Sequence, residues 1–154
     1  MKTINKREKM KNNKKTLDQQ FTEKTGIDVS KKERGVDLIP VVGMGVTRSI
    51  GCDSYPYTII EMLKNSKGKT ILKIESDSDL YEHDSYTIFE DGRKEKNRKC
   101  VRYLIQEVKT NYKKQSYVAW VDLKWNEQTK RWNKGDDYYY HSIGQRNYDL
   151  DPSF

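Results

Sequence analysis

The sequence predicts a mainly β domain, built as an antiparallel sheet that closes into a small sandwich or barrel, behind a basic N-terminal arm that is disordered or forms short helices. Three observations predict this. From residue 37 onward the apolar residues fall in short β-prone runs, separated by Gly, Asn, Asp, Ser or Lys-rich punctuation. Along 116–125 side chains alternate with a period of two. Before residue 35 the pattern is different: eleven Lys/Arg stand against five Asp/Glu, a net of +6 out of the total of +7.

Taken in order, residues 1–15 are rich in Lys and Asn with isolated Ile4 and Met10, and nothing there builds a core. At 16–25, "TLDQQFTEKT" offers Thr16 as an N-cap, Leu17 and Phe21 on one helix face, and Gly26 as a stop. A further turn is expected over 30–34, ended by Gly35. The arm, 1–36, would then dock through Leu17, Phe21 and Ile27. The domain proper is 37–154. Its expected strands are 37–42, 45–50, 55–63, 69–75, 85–89, 100–108, 116–125 and 137–143. "LKNSKGKT" and "FEDGRKEKN" read as hairpin connections, with Gly68 and Gly92 supplying permissive backbone. "KWNEQTKRW" reads as a hairpin with Trp125 and Trp132 flanking the turn. Along 116–125, Tyr117, Ala119, Val121, Leu123 and Trp125 share the face expected to be core. Trp120 stands on the wetter face with Asp122, either covered by a second layer or neighbour, or serving as a stacking platform for a flat ligand.

The composition narrows function. Of 154 residues, 34% are hydrophobic and 34% charged, so part of the chain is expected outside the core. The basic excess sits on the arm, which points to a solvated or weakly associating tail and keeps nucleic acid open as a partner through that arm. Cys52 and Cys100 have no metal-site spacing, so no metal is expected. No apolar run approaches the length of a membrane span, and residues 1–15 lack the apolar stretch of a secretory signal, so no membrane partner is expected and the chain reads as cytoplasmic. His83 and His141 form no catalytic pair, and Glu61 in "TIIEM" reads as a strand-edge or wetter-face carboxylate. Neither an enzyme nor a cofactor is expected.

Two stretches are unlike the rest. "GVTRSIGCDSYPYT" (45–58) gathers Thr47, Arg48, Asp53 and Tyr57, and "IGQRNYDLDPSF" (143–154) gathers Arg146, Asn147 and Tyr148. The "GMG" at 43–45 lacks the third Gly of a dinucleotide fingerprint and the G-K-[ST] of a P-loop. Hydroxyls, amides and Arg suit phosphate oxygens. The plainer alternatives are a strand pair with a tight turn at 50–55, and a tied-down terminus clamped by Pro152, Ser153 and Phe154.

Together these stretches resemble a family of small phage proteins, the anti-Thoeris sponge family of the first type. The resemblance rests on Gly43, Gly45 and Thr47, then Asp53, Tyr55, Pro56, Tyr57 and Thr58. It continues with Leu123, Lys124 and Trp132 in a Trp-bearing hairpin, and closes on Ile143, Gly144, Arg146, Asn147, Asp151, Pro152, Ser153 and Phe154. It covers 41–154. The basic arm and the Lys/Glu-rich stretch 90–115 depart from it, as do Cys52 in place of a small residue and Ser54 in place of Arg. The resemblance implies a homo-oligomer with ligand pockets between protomers, in the infected bacterial cell. It implies sequestration of cyclic ADP-ribose isomers without cleavage, and in some members of cyclic oligonucleotides at separate sites. Such a ligand carries a diphosphate, for which Arg146, Arg102 and Arg48 are the candidates. It also carries an adenine, for which Trp120, Tyr57 and Tyr148 are the candidates.

Overall fold

The structure, a computed structural model, describes residues 15–33, 36–77, 86–96, 99–135 and 139–147. The expectation of a mainly β, antiparallel fold holds, and of the two architectures it is the barrel. Strands β1 (Gly45–Ile50), β2 (Asp53–Lys64) and β3 (Thr70–Ser76) form a meander. A separate two-stranded hairpin, β4 (Tyr86–Ile88) and β5 (Lys94–Lys96), interrupts it. Then β6 (Val101–Thr110) pairs with β3, β7 (Ser116–Asn126) with β6, and β9 (Tyr140–Gly144) lies between β7 and β1. Six strands, β1, β2, β3, β6, β7 and β9, thus close on themselves. The short β8 (Arg131–Lys134) extends β7. Closure is thin at one seam: among the described residues β7 and β9 pair at one position, Trp120 opposite His141.

Local chemistry fixes the elements. Helix α1 (Leu17–Thr25) starts at a capping box: Thr16 Oγ1 accepts from the Gln19 amide at 3.1 Å while the Gln19 side chain accepts from the Thr16 amide at 2.9 Å. It stops at Gly26, whose φ of 77° is left-handed. The expected turn over 30–34 lies earlier, as a 3-10 turn at Val29–Lys31 capped by Asp28. The arm docks more firmly than through Leu17, Phe21 and Ile27: Phe21 and Val29 are buried, and Leu17 is exposed instead. The β1–β2 connection is a two-residue turn at Gly51 and Cys52, within the strand pair and tight turn expected at 50–55.

One expectation fails and another is half met. Residues 37–42 are not a strand but an extended strap with no ladder of its own, because Pro40 has no amide to donate. The middle of β7 is buried on both faces, so the face expected to be core is one of two. The barrel interior receives Trp120 and Asp122, with Val46, Tyr55, Tyr57, Ile59, Leu72, Ile74, Leu104 and Ile143 from the other strands. The face expected to be core, with Ala119, Val121 and Leu123, forms a second, smaller apolar cluster on the outer side of the sheet with Ile71, Tyr103, Ile105 and Trp132. Tyr103 and Trp125 both meet the Trp132 ring edge-on, at 4.9 and 5.0 Å between centroids. A bulge between Ile59 and Glu61 turns Glu61 outward toward Lys73. No helix among the described residues is long and apolar enough to cross a membrane.

Candidate functional site

The two unusual stretches do meet. β1 pairs with β9 from Gly45 opposite Gly144 to Ser49 opposite Tyr140. Beyond β9, Thr47 Oγ1 donates to the Gln145 carbonyl at 2.6 Å and accepts from the Asn147 amide at 3.1 Å. The Arg146 side chain then crosses Gly45 so closely that a Cβ there would lie 2.6 Å from Arg146 Cγ. Its guanidinium is 9% exposed and heavily engaged. Nη1 donates to Asp18 on α1, Nε lies 2.7 Å from Asp77 Oδ2, and Nη2 donates to Thr58 Oγ1 at 2.8 Å and to the Gly43 carbonyl at 3.1 Å. The Arg146 amide also reaches Asp18 Oδ2 at 3.0 Å. Arg146 is an anion ligand, as its residue type suggested, but its anions are the protein's own. It fastens the arm and the end of β9 to the barrel.

Arg48 is likewise committed. It is fully buried, facing into the barrel. Nη1 reaches Asp122 Oδ1 at 2.5 Å and His141 Nε2 at 2.8 Å, and the guanidinium lies 3.5 Å from the centre of the Tyr139 ring. A guanidinium only donates, so His141 Nε2 accepts and Nδ1 carries the proton, donated to the Trp120 carbonyl at 3.0 Å. Burial, followed by the charge of Arg48, lowers the His141 pKa to about 3, so the ring is neutral. The side chain thus rivets β9 to β7 at the position where the backbone pairs them.

The open concavity lies elsewhere. Between the strap and the ends of β2, β3, β6 and β7 runs a groove of about 630 Å³, within the range of small-ligand sites. Leu38, Ile39, Pro40, Met62, Ile105, Val108 and Val118 give it apolar walls, Trp120 lies along it, and Asp37, Lys69, Gln106 and Glu107 supply polar groups. The strap is pinned at one end. Asp37 Oδ1 accepts from the Ile143 amide at 2.9 Å and from Lys32 Nζ at 3.3 Å, and the largely buried Lys32 also donates to Ser142. Beyond that pin Ile39 is 86% exposed.

Of the expected ligand residues, Trp120 alone lines this groove among the described residues. Tyr57 is buried inside the barrel. Asp53 stands opposite Ile50 beside the first hairpin turn, and Arg102 opposite Ile74, half-buried. Thr47 and Asn147 serve the clamp. Tyr148, His83 and the Asp151, Pro152, Ser153 and Phe154 ending lie outside the described residues. Sequence reasoning missed Asp37, Met62, Gln106 and Glu107. The available signal was Pro40 within an apolar run, which marks an unpaired segment. Among the described residues no three His, Cys, Asp or Glu side chains converge as a metal site. No family model, curated protein or solved structure matches the chain.

Proposed function

We propose that this protein is a binding protein that holds a nucleotide-derived signal without cleaving it, in the groove between the strap and the barrel mouth. The observation that carries the reading is the groove itself: about 630 Å³, apolar-walled, with Trp120 along it and Lys69, Gln106 and Glu107 converging on it. An apolar slot of this size suits a purine, with Trp120, 5% exposed, as part of its wall. The likeness of 41–154 to the sponge family supports cyclic ADP-ribose isomers as the ligand class, with cyclic oligonucleotides as the second. Sequestration needs affinity and no reacting group. Because Arg48 and Arg146 hold carboxylates, the diphosphate would meet Lys69 and backbone amides. A second protomer would cover the exposed Ile39, Val108, Val118 and Met62 around the mouth. In this reading the protein acts in the infected bacterial cell to suppress the defence that the signal activates.

The test is retention. Purified protein is incubated with cyclic ADP-ribose isomers and a panel of cyclic oligonucleotides, filtered and heated, and the released molecules are identified by mass spectrometry. Intact ligand is the expected result, lost on Met62→Asp or Val118→Asp. A cleaved product would make the protein an enzyme, and no retention would remove the proposal.

A further inference from the structure

The β6–β7 hairpin has a second face, turned away from the groove. Between Val108 and Val118 the sequence is KTNYKKQSY, with three lysines and no carboxylate. Its turn is firmly built. Asn111 Oδ1 accepts from the Lys113 amide at 3.0 Å and the Gln115 amide at 2.9 Å, and Lys114 takes a φ of 60°. Tyr112 is thereby held 89% exposed, with Lys113 Nζ 5.6 Å from its ring centre. One step back, Lys109 stands opposite Tyr117 in the ladder. Both line a cleft of about 180 Å³ with Tyr139 and the exposed Tyr140 of β9. A cavity of roughly 150 Å³ accommodates a benzene ring, so this cleft has room for one flat ring. The carboxylate of Asp37 at its edge is already engaged by the Ile143 amide and Lys32.

We infer that this outer face is a binding surface for single-stranded nucleic acid. Spaced tyrosines provide sequence-tolerant stacking for successive bases, and lysines interleaved with them follow the phosphates. The chemistry favours a strand over an anionic lipid surface. Of the hairpin's two exposed valines, Val108 lines the groove alone and Val118 lines both concavities, so the exposed groups peculiar to the cleft are the Tyr117 and Tyr140 rings beside the Lys109 ammonium. The cleft shares Asp37, Val118 and Trp120 with the small-ligand groove, whereas Lys109, Tyr117, Tyr139 and Tyr140 line the cleft alone.

The experiment is fluorescence anisotropy of a labelled twelve-nucleotide single strand with the full chain, titrated at several salt concentrations. Lys109→Gln/Lys113→Gln/Lys114→Gln is expected to flatten the slope of log affinity against log salt by about two units, and Lys113→Gln/Lys114→Gln by about one and a half. Tyr117→Ala and Tyr140→Ala each weaken binding about tenfold, and an abasic strand binds less tightly than the normal one. All these variants retain the small ligand of the groove if the wild-type protein does. The inference is overturned if the lysine variants keep the full salt slope, because the N-terminal arm then carries the binding. Equal affinity for the abasic strand, no binding at low salt, or a preference for anionic vesicles overturns it equally.

Discussion

The two ends of the barrel are finished in different ways. At the end where β1 finishes and β2 begins, Arg48, Asp122, His141 and Tyr139 fill the interior with charge and hydrogen bonds. At the end where β2 finishes and β3 begins, a strap pinned through Asp37 leaves an apolar groove open. The first end is costly to disturb, because its interior is filled by paired charges. The second has room and little to lose. Buried charge closes one end, and the open volume lies at the other.

The contrast can be broken at its strongest point. Arg48→Ala leaves the Asp122 carboxylate buried without its partner, and urea unfolding should register a loss of about 3–5 kcal/mol. Arg48→Met with Asp122→Leu should recover much of that, because removing both charges avoids the stranded one. If the double variant is no better than the single, the cluster is not acting as an ion pair. Next in size is Arg146→Ala, expected to destabilise by about 3 kcal/mol as Asp18 and Asp77 lose their shared cation. Hydrogen exchange should localise the effect: amides of α1 lose protection before those of the barrel. Acid provides a third probe. His141 titrates near 3 when folded and near 6.5 when unfolded, so the unfolded state binds the extra proton between those values. Its contribution to stability is complete above about pH 6.5 and is lost as pH falls toward 3. Chemical unfolding at stepped pH should show this decline, and His141→Gln should flatten it. The smallest stability effect belongs to the open end. Lys69→Ala and Val118→Ser should change stability by no more than about 0.5 kcal/mol while measurably weakening retention of the small ligand.

Legibility in the sequence followed the range of the interaction. The helix cap at Thr16, the stop at Gly26 and the Trp125–Trp132 hairpin are set by neighbours a few residues apart, and each could be read directly. The faces of β7 could not, because the middle of that strand is buried on both sides and alternation alone does not say which side is the barrel. Arg48 and Arg146 were read as anion binders, and the anions the structure places on them are the protein's own carboxylates. Their carboxylates, Asp18 for Arg146 and Asp122 for Arg48, lie 128 and 74 positions away in the chain. The groove was the least legible feature of all, since it is a gap between segments brought together only by closure.

The position of β9 has a consequence for synthesis. This strand is the last of the described strands in the sequence, yet it sits between β1, the first, and β7. A nascent chain on the ribosome can therefore build the meander and the long hairpin, but it must carry the β1 edge and the part of the β7 edge beyond β8 unpaired until residues 140–144 emerge. Translational pausing shortly before that point would prolong the most aggregation-prone interval, and a chaperone that shields strand edges would act there.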